Sequence, residues 1–337
     1  MTGKVSILIF MAMISLAASC TKVEKVASAE DMPVSYQVIQ DIVHSKAGEL
    51  EYDKNVPFKS SAFYLAEGLS WSTDKDKASL YIDMADISYV AGEDKWRNWS
   101  EIYYWPKTGS LTFFSWSPAS ISDSKISVDK TKGVCLSDWN TYTAENRNVD
   151  FMVADVVYDK TANETSYFYN GVPTLFRHQL AKVSFFAYLE KEETGKWTMI
   201  KKIYLTNIYA QADYSNSNWS NWEDMKNEWV IYESSDGIKL TVDSQQIGKD
   251  VYMIPQNLSA AEGRGAPKLV IVYDNEGGKD FSKEFAFTAN VGSYFWAKGT
   301  TTRYSISYGT SDHPIDFNTD VELWIDYENS DVNIGNI

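Results

Sequence analysis

From Tyr36 to Tyr327 the chain alternates short apolar runs with turn residues. The runs include "YQVIQDIV", "SAFYL", "ASLYIDM", "SLTFFSWSP", "DFMVADVVYD", "AKVSFFAYLE", "KLVIVYD" and "VELWIDYE", and Gly, Asn, Asp, Pro and Ser lie between them. In the last run Val321, Leu323, Ile325 and Tyr327 alternate with Glu322, Trp324, Asp326 and Glu328, the period of a strand with one buried face. No segment carries a capped apolar repeat at i, i+3, i+4 and i+7, so helices are expected to be few and short. About sixteen strand-length pieces, one every ten to twenty residues, predict an all-β protein. The expected architecture is two tandem Ig-like or transthyretin-like β-sandwich domains of about seven strands each.

Composition strengthens that expectation. Aromatic residues make up 15% of the chain, with 22 Tyr and 12 Trp, and such rings suit pleated, half-buried surfaces. They crowd in "EIYYWPKTGSLTFFSWSP" (101–118), where Tyr103, Tyr104 and Trp105 precede a Pro-Lys-Thr-Gly turn and Phe113, Phe114 and Trp116 follow it. The turn predicts a hairpin with its rings paired across strands. Consecutive rings point to both faces of a strand. One face should meet the core and the other a neighbouring loop, domain or subunit.

The first residues form a different pattern. Lys4 precedes the apolar run "VSILIFMAMISLAA", which ends in the small residues of "LAASC", the form of a secretory signal. The run is too short for a stable membrane span. Cys20 directly follows, as in a bacterial lipobox, where it would be lipidated and become the new N-terminus. Ala17 stands three residues before it where Leu is usual, with Leu16 one place further out, so an ordinary signal peptide is the alternative. The only other cysteine is Cys135, which leaves no internal disulfide if Cys20 is acylated. The division expected is 1–19 signal peptide, 20–35 polar tether, 36–170 first sandwich and 171–337 second sandwich. Asn170, Gly171 and Pro173 in "NETSYFYNGVP" supply the break.

A net charge of -15 opposes a nucleic-acid surface, which needs clustered Lys and Arg. Catalytic signals are sparse. His44, His178 and His313 are far apart, and no GxSxG, HExxH or phosphate loop is present. His178 in "LFRHQL" lacks a nominated nucleophile, which favours a structural role. "DNEGGKD" (274–280) lacks the spacing of an EF-hand and reads as a hairpin turn rather than a calcium loop. No catalytic residue, metal or cofactor is expected. Trp219, Trp222 and Trp229, in a stretch rich in Asn and Asp, are candidate glycan contacts through exposed indoles, with Trp96 and Trp99 a second set; burial against the sandwich is the competing reading.

A resemblance adds to this. Trp96 or Trp99 followed by "YYWPKTGSLTFFSWSP" resembles the signature of Bacteroidales fimbrillin-like lipoproteins, the major and minor fimbrial subunits and their relatives. "DFMVADVVYDKT", "VPTLFRHQLAKVSFFA", "VYMIPQNLSAA" with "KLVIVY", and "FWAKGTTTRYSISY" follow in the same order, over residues about 95 to 327. The resemblance implies a non-enzymatic structural or adhesive subunit, exported as a lipoprotein to the outer membrane and assembled at the cell surface with other fimbrial subunits. It also implies that a trypsin-like protease removes an N-terminal strand and that another subunit's C-terminal strand fills the groove. Here the strand would be Tyr36 to Val43 and the candidate cut would follow Lys46, in a polar loop that also holds Lys54. The segment 320–327 can close its own domain or complete a neighbour's sheet, with 331–337 as a short donor or a frayed end. The alternative function is a solitary surface lipoprotein that binds carbohydrate through exposed Trp residues.

Overall fold

The structure, a computed structural model, describes residues 32–39, 52–162, 171–192, 194–260, 263–275, 279–287, 295–309 and 316–323. The protein is all-β. Among these residues lie twenty-three strands, one four-residue α-helix, Trp71–Asp74, and a 3-10 turn, Lys75–Lys77.

In the first half, strand Phe58–Leu65 pairs with Ser79–Val90 on one edge and with Ser110–Ser117 on the other. The order continues from Ser79–Val90 through Lys95–Asn98, Tyr36–Ile39, Val172–His178 and Met152–Ala154 back to Ser110–Ser117. These seven strands close on themselves, so the first half is a barrel rather than the open sandwich expected. Closure removes the unpaired edges that an open sheet presents. Inside lie Tyr36, Phe58, Ala62, Ile82, Ile87, Trp96, Leu111 and Phe113.

Every residue of Ser110–Ser117 is buried, and the two-residue period explains how. Leu111 and Phe113 face the barrel core, whereas Phe114 and Trp116 face outward into a second apolar layer. That layer is roofed by a four-stranded sheet of Ile126–Asp129, Gly133–Asn140, Ile208–Ser215 and Asn218–Lys226. Its rings are Trp139, Phe151, Tyr214 and Trp219, with Phe151 edge-on to Tyr214 at 5.2 Å.

The aromatic run before the turn does not form the expected hairpin. Both edges of Ser110–Ser117 are occupied, one by Phe58–Leu65 and the other by Met152–Ala154 and Val157–Lys160. Residues 103–105 instead run along the N-terminal segment. Tyr104 bridges Pro33, the Val34 N–H donates to the Tyr103 carbonyl at 2.7 Å, and the Trp105 N–H donates to that of Met32 at 2.9 Å. Gly109 ends the turn at φ +76°, where a Cβ would stand 2.2 Å from the Leu65 carbonyl oxygen.

The second half is a sandwich. Ala181–Leu189 pairs in parallel with Thr300–Tyr308, which pairs antiparallel with Asp316–Leu323. The facing sheet runs Trp229–Lys239, Thr198–Thr206, Lys268–Asn275, Asp280–Ala286. Between them pack Val183, Phe185, Ile203, Leu205, Trp229, Leu269, Trp296 and Tyr304, and the Trp296 indole donates to the Tyr304 hydroxyl at 2.9 Å. The "DNEGGKD" stretch joins two paired strands, with Asp274 opposite Asp280.

The two halves share material. Strand Val172–His178 belongs to the barrel, and the chain passes from the barrel to the sandwich at Gln179–Leu180. The hairpin 208–226 comes from the second half yet completes the roof over the first. Trp219 donates its indole N–H to the Gln179 carbonyl at 2.6 Å, tying that roof to the crossing point.

Trp116 stands fully buried where barrel and roof meet. Trp116→Ala is expected to cost about 3–5 kcal/mol, read by urea denaturation. Because the roof is built from both halves, circular dichroism and tryptophan fluorescence should report one coincident transition; two separated transitions would contradict the shared layer.

Candidate functional site

The strand that closes the barrel is held by a short ladder. Tyr36–Ile39 pairs in parallel with Val172–His178 at four positions, Tyr36 with Val172, Gln37 with Pro173, Val38 with Thr174 and Ile39 with Leu175. Parallel pairing is slightly weaker per residue. On the other side a single antiparallel position, Tyr36 with Trp96, joins it to Lys95–Asn98. Just upstream, residues 32–34 form the short ladder with 103–105 described above. The predicted tether therefore takes part in the fold from Met32 onward.

Side chains supply what the ladder lacks. Val34 and Tyr36 are 5% and 2% exposed, and the Tyr36 ring meets Phe58 and Phe113 edge-on at 5.6 and 5.9 Å. Burial of a large apolar side chain contributes about 1.5–3 kcal/mol. A small, partly open pocket beside the strand is lined by Val34, Tyr36, Ile82, Arg97, Glu101 and Tyr103. Burial also pushes the phenols of Tyr36 and Tyr103 above their ordinary range.

Gly171 makes the close approach possible. The Val172 N–H donates to the Ser35 carbonyl at 2.8 Å, and a Cβ on Gly171 would lie 2.7 Å from that same oxygen and 2.9 Å from the Tyr36 carbonyl carbon.

Tyr52 packs on the barrel, its ring stacked on Phe176 at 5.0 Å and its hydroxyl 2.5 Å from Ser117 Oγ. Lys54 follows in an exposed turn closed by the Val56 N–H on the Asp53 carbonyl at 2.9 Å, its ammonium 4.7 Å from the Tyr89 ring centre. Lys46, Cys20 and the remainder of the strand to Val43 lie outside the described residues. At the other end Asp316–Leu323 pairs with its own chain, and 324–337 lie outside the description.

The three candidate glycan tryptophans are not brought together on one face. Trp219 is 7% exposed, and Trp229 is fully buried beneath the Arg147 guanidinium, 4.4 Å from its ring centre. Trp222 is 41% exposed, with its indole N–H donated to the Pro255 carbonyl at 3.1 Å. Of the second set, Trp96 is buried in the barrel and Trp99 is 70% exposed with Arg97 against its ring. His178 Nδ1 lies 2.8 Å from Asp150 Oδ2, joining the end of its strand to the segment before Met152. Among the described residues no group of three or more His, Cys, Asp or Glu side chains is arranged to hold a metal ion. Cys135 is a free thiol, raised chiefly by burial.

The strand was legible in the run "YQVIQDIV", although Val34 was assigned to the tether. Sequence reasoning missed Gly171 as the contact point and 103–105 as the partner, since neither pairing leaves a local signal.

A profile of the fimbrillin-like family matches residues 68–324. No curated protein matches the chain. Among solved structures, a fimbrial protein from Bacteroides vulgatus is similar at 16% identity and a TM-score of 0.65, covering 87% of this chain and 99% of its own. A candidate cell adhesion protein from Bacteroides uniformis is similar at 14% identity and a TM-score of 0.54, covering 88% and 99%. These likenesses establish a common fold.

Gly171→Ala is expected to force Ser35 and Tyr36 away from Val172 and to lower stability by about 1–3 kcal/mol, measured by urea unfolding. Unchanged stability would mean that the segment does not sit against Gly171.

Proposed function

The chain belongs to the fimbrillin-like family, and on that premise we propose that it is a structural or adhesive subunit of a cell-surface fimbrium, assembled by exchange of its N-terminal strand. The observation that carries this reading is the thin attachment of Tyr36–Ile39, which nonetheless closes the barrel. Its loss would open a slot between Lys95–Asn98 and Val172–His178 and uncover Phe58, Phe113 and Trp96. An open edge beside an apolar floor associates readily with another strand. In this reading a C-terminal strand from a neighbouring subunit enters, its backbone completing the ladder and alternate side chains filling the positions of Val34, Tyr36 and Val38.

Export as a lipoprotein through Cys20 would hold the precursor at the outer membrane. Cleavage after Lys46 would detach the strand while leaving the Tyr52 anchor in the barrel. No enzymatic activity is part of this proposal. The alternative, a solitary surface lipoprotein that binds host or bacterial glycans, would have to rest on Trp222 or Trp99, since Trp219 and Trp229 are buried.

The experiment treats the unlipidated protein with a low dose of trypsin, then follows N-terminal sequence and light scattering. One early cut within about residues 44–59 followed by a growing ladder of oligomers is the expected result. Cutting without assembly would sink strand exchange and turn attention to glycan binding.

A further inference from the structure

Loop 141–149, between Gly133–Asn140 and Met152–Ala154, is fixed by its own hydrogen bonds. The Tyr142 N–H donates to Asn140 Oδ1 at 2.9 Å, and the Arg147 N–H donates to the Thr143 carbonyl at 3.0 Å. This turn sets the Arg147 guanidinium 4.4 Å from the Trp229 ring centre and 5.6 Å from that of Tyr142. A second cation lies against Tyr142, Lys226 Nζ at 5.1 Å from the ring centre, and it is held by Asp224 Oδ1 at 2.7 Å.

Arg147 differs from the other described arginines. Arg97 pairs with Glu93, Arg177 pairs with Asp155, and Arg264 donates to Gln256 and to backbone carbonyls, while Arg303 is exposed. Arg147 is half-buried, and among the described residues its guanidinium has neither a hydrogen-bond acceptor nor a paired carboxylate. Burial pushes it below its ordinary range, opposed only by the Tyr142 phenol. Stacked over an indole, a guanidinium keeps its N–H groups at its rim, free to bind in plane. The indole beneath carries a second unmet donor, since Trp229 Nε1 is buried without a partner. Donors withdrawn from water and left open are costly, and a bound acceptor relieves that cost.

Charge and shape narrow the ligand. Asp224 offsets Lys226, so one positive charge remains, which matches a single carboxylate better than a doubly charged phosphate. The guanidinium fork takes a carboxylate through two parallel hydrogen bonds. The Tyr142 hydroxyl and Asn146 Oδ1 also have no partner among the described residues, and they suit hydroxyl groups on the same ligand. An extended acidic peptide fits less well. The adjacent edge strand Asn218–Lys226 is kinked at Asn221 and Asp224, at φ +54° and +49°, which spoils it as a template for a further strand, and Glu223 and Asp224 repel like charge.

We propose that Arg147, with Tyr142, Asn146 and Lys226 around it, binds the carboxylate of a sugar acid of the uronic type, free or at the end of a glycan. This rests on the adhesive side of the proposed function and not on strand exchange. The site is distinct from the exposed indoles of Trp222 and Trp99, because a stacked cation rather than a bare ring selects the ligand.

The test titrates glucuronate and methyl β-glucuronide into the uncut, unlipidated protein, followed by calorimetry and saturation-transfer NMR. Methyl β-glucoside serves as the neutral counterpart and hexaglutamate as the acidic peptide. The expected result is binding of a sugar acid and none of the glucoside. Preference for glucuronate or for its glycoside then tells a free sugar acid from a glycan end. Arg147→Met should weaken binding about tenfold or more. Arg147→Lys, which keeps the charge without the fork, should weaken it as well and carries the test should the Met variant fail to fold. Equal binding of the neutral glucoside, unchanged affinity in either folded variant, binding of hexaglutamate without sugar acid, or no binding at all would overturn the inference. None of these outcomes involves cutting or assembly, so each leaves strand exchange standing.

Discussion

A β-barrel is stable as a closed object because every strand has two neighbours, and one missing member exposes two rows of backbone donors and acceptors together with the core. Among the described residues, that condition depends on Tyr36–Ile39. Tyr36–Ile39 spans the gap between Lys95–Asn98 and Val172–His178 with a parallel ladder on one side and a single paired position on the other. Tyr36, wedged between Phe58 and Phe113, supplies by side-chain burial much of what so short a ladder cannot. An element that is necessary to the fold yet lightly attached suits a part meant to be exchanged.

The rest of the molecule is built to keep its shape around that slot. Trp116 and Phe114 turn away from the barrel into a layer roofed partly by the hairpin 208–226, and Trp219 fastens the roof to Gln179 where the chain crosses between halves. Val172–His178, the wall of the slot, runs on into Ala181–Leu189, which holds eight registered positions against Thr300–Tyr308. A strand seated in the slot would therefore pull on a wall continuous with the sandwich. Such a joint suits a subunit that carries load along a filament.

Much of this was legible in the residues. Two-residue alternation marked the strands, and the double-sided burial of "SLTFFSWS" followed from adjacent rings that must point to opposite faces. The N-terminal strand was visible in the run "YQVIQDIV". Barrel closure was not, because it depends on Phe58–Leu65 pairing on both edges, and pairing between distant strands leaves no local pattern. For the same reason Tyr103 to Trp105 suggested a hairpin, although their partner is Met32 to Val34. The tryptophans of 219–229 looked alike in a polar stretch. Only the register of the hairpin separates buried Trp219 from exposed Trp222, with a bulge between Gln211 and Asp213 shifting which positions face the core.

The central claim is that Tyr36–Ile39 is the removable member of a closed barrel. Amide hydrogen exchange of Lys95–Asn98 and Val172–His178, measured in the intact chain, after removal of the N-terminal fragment, and again after assembly, tests it most directly. The account predicts slow exchange at first, fast exchange confined to these two strands and their floor after removal, and slow exchange once more in the assembled state. Exchange that stays slow after the fragment has gone, or that quickens throughout the molecule, would contradict it.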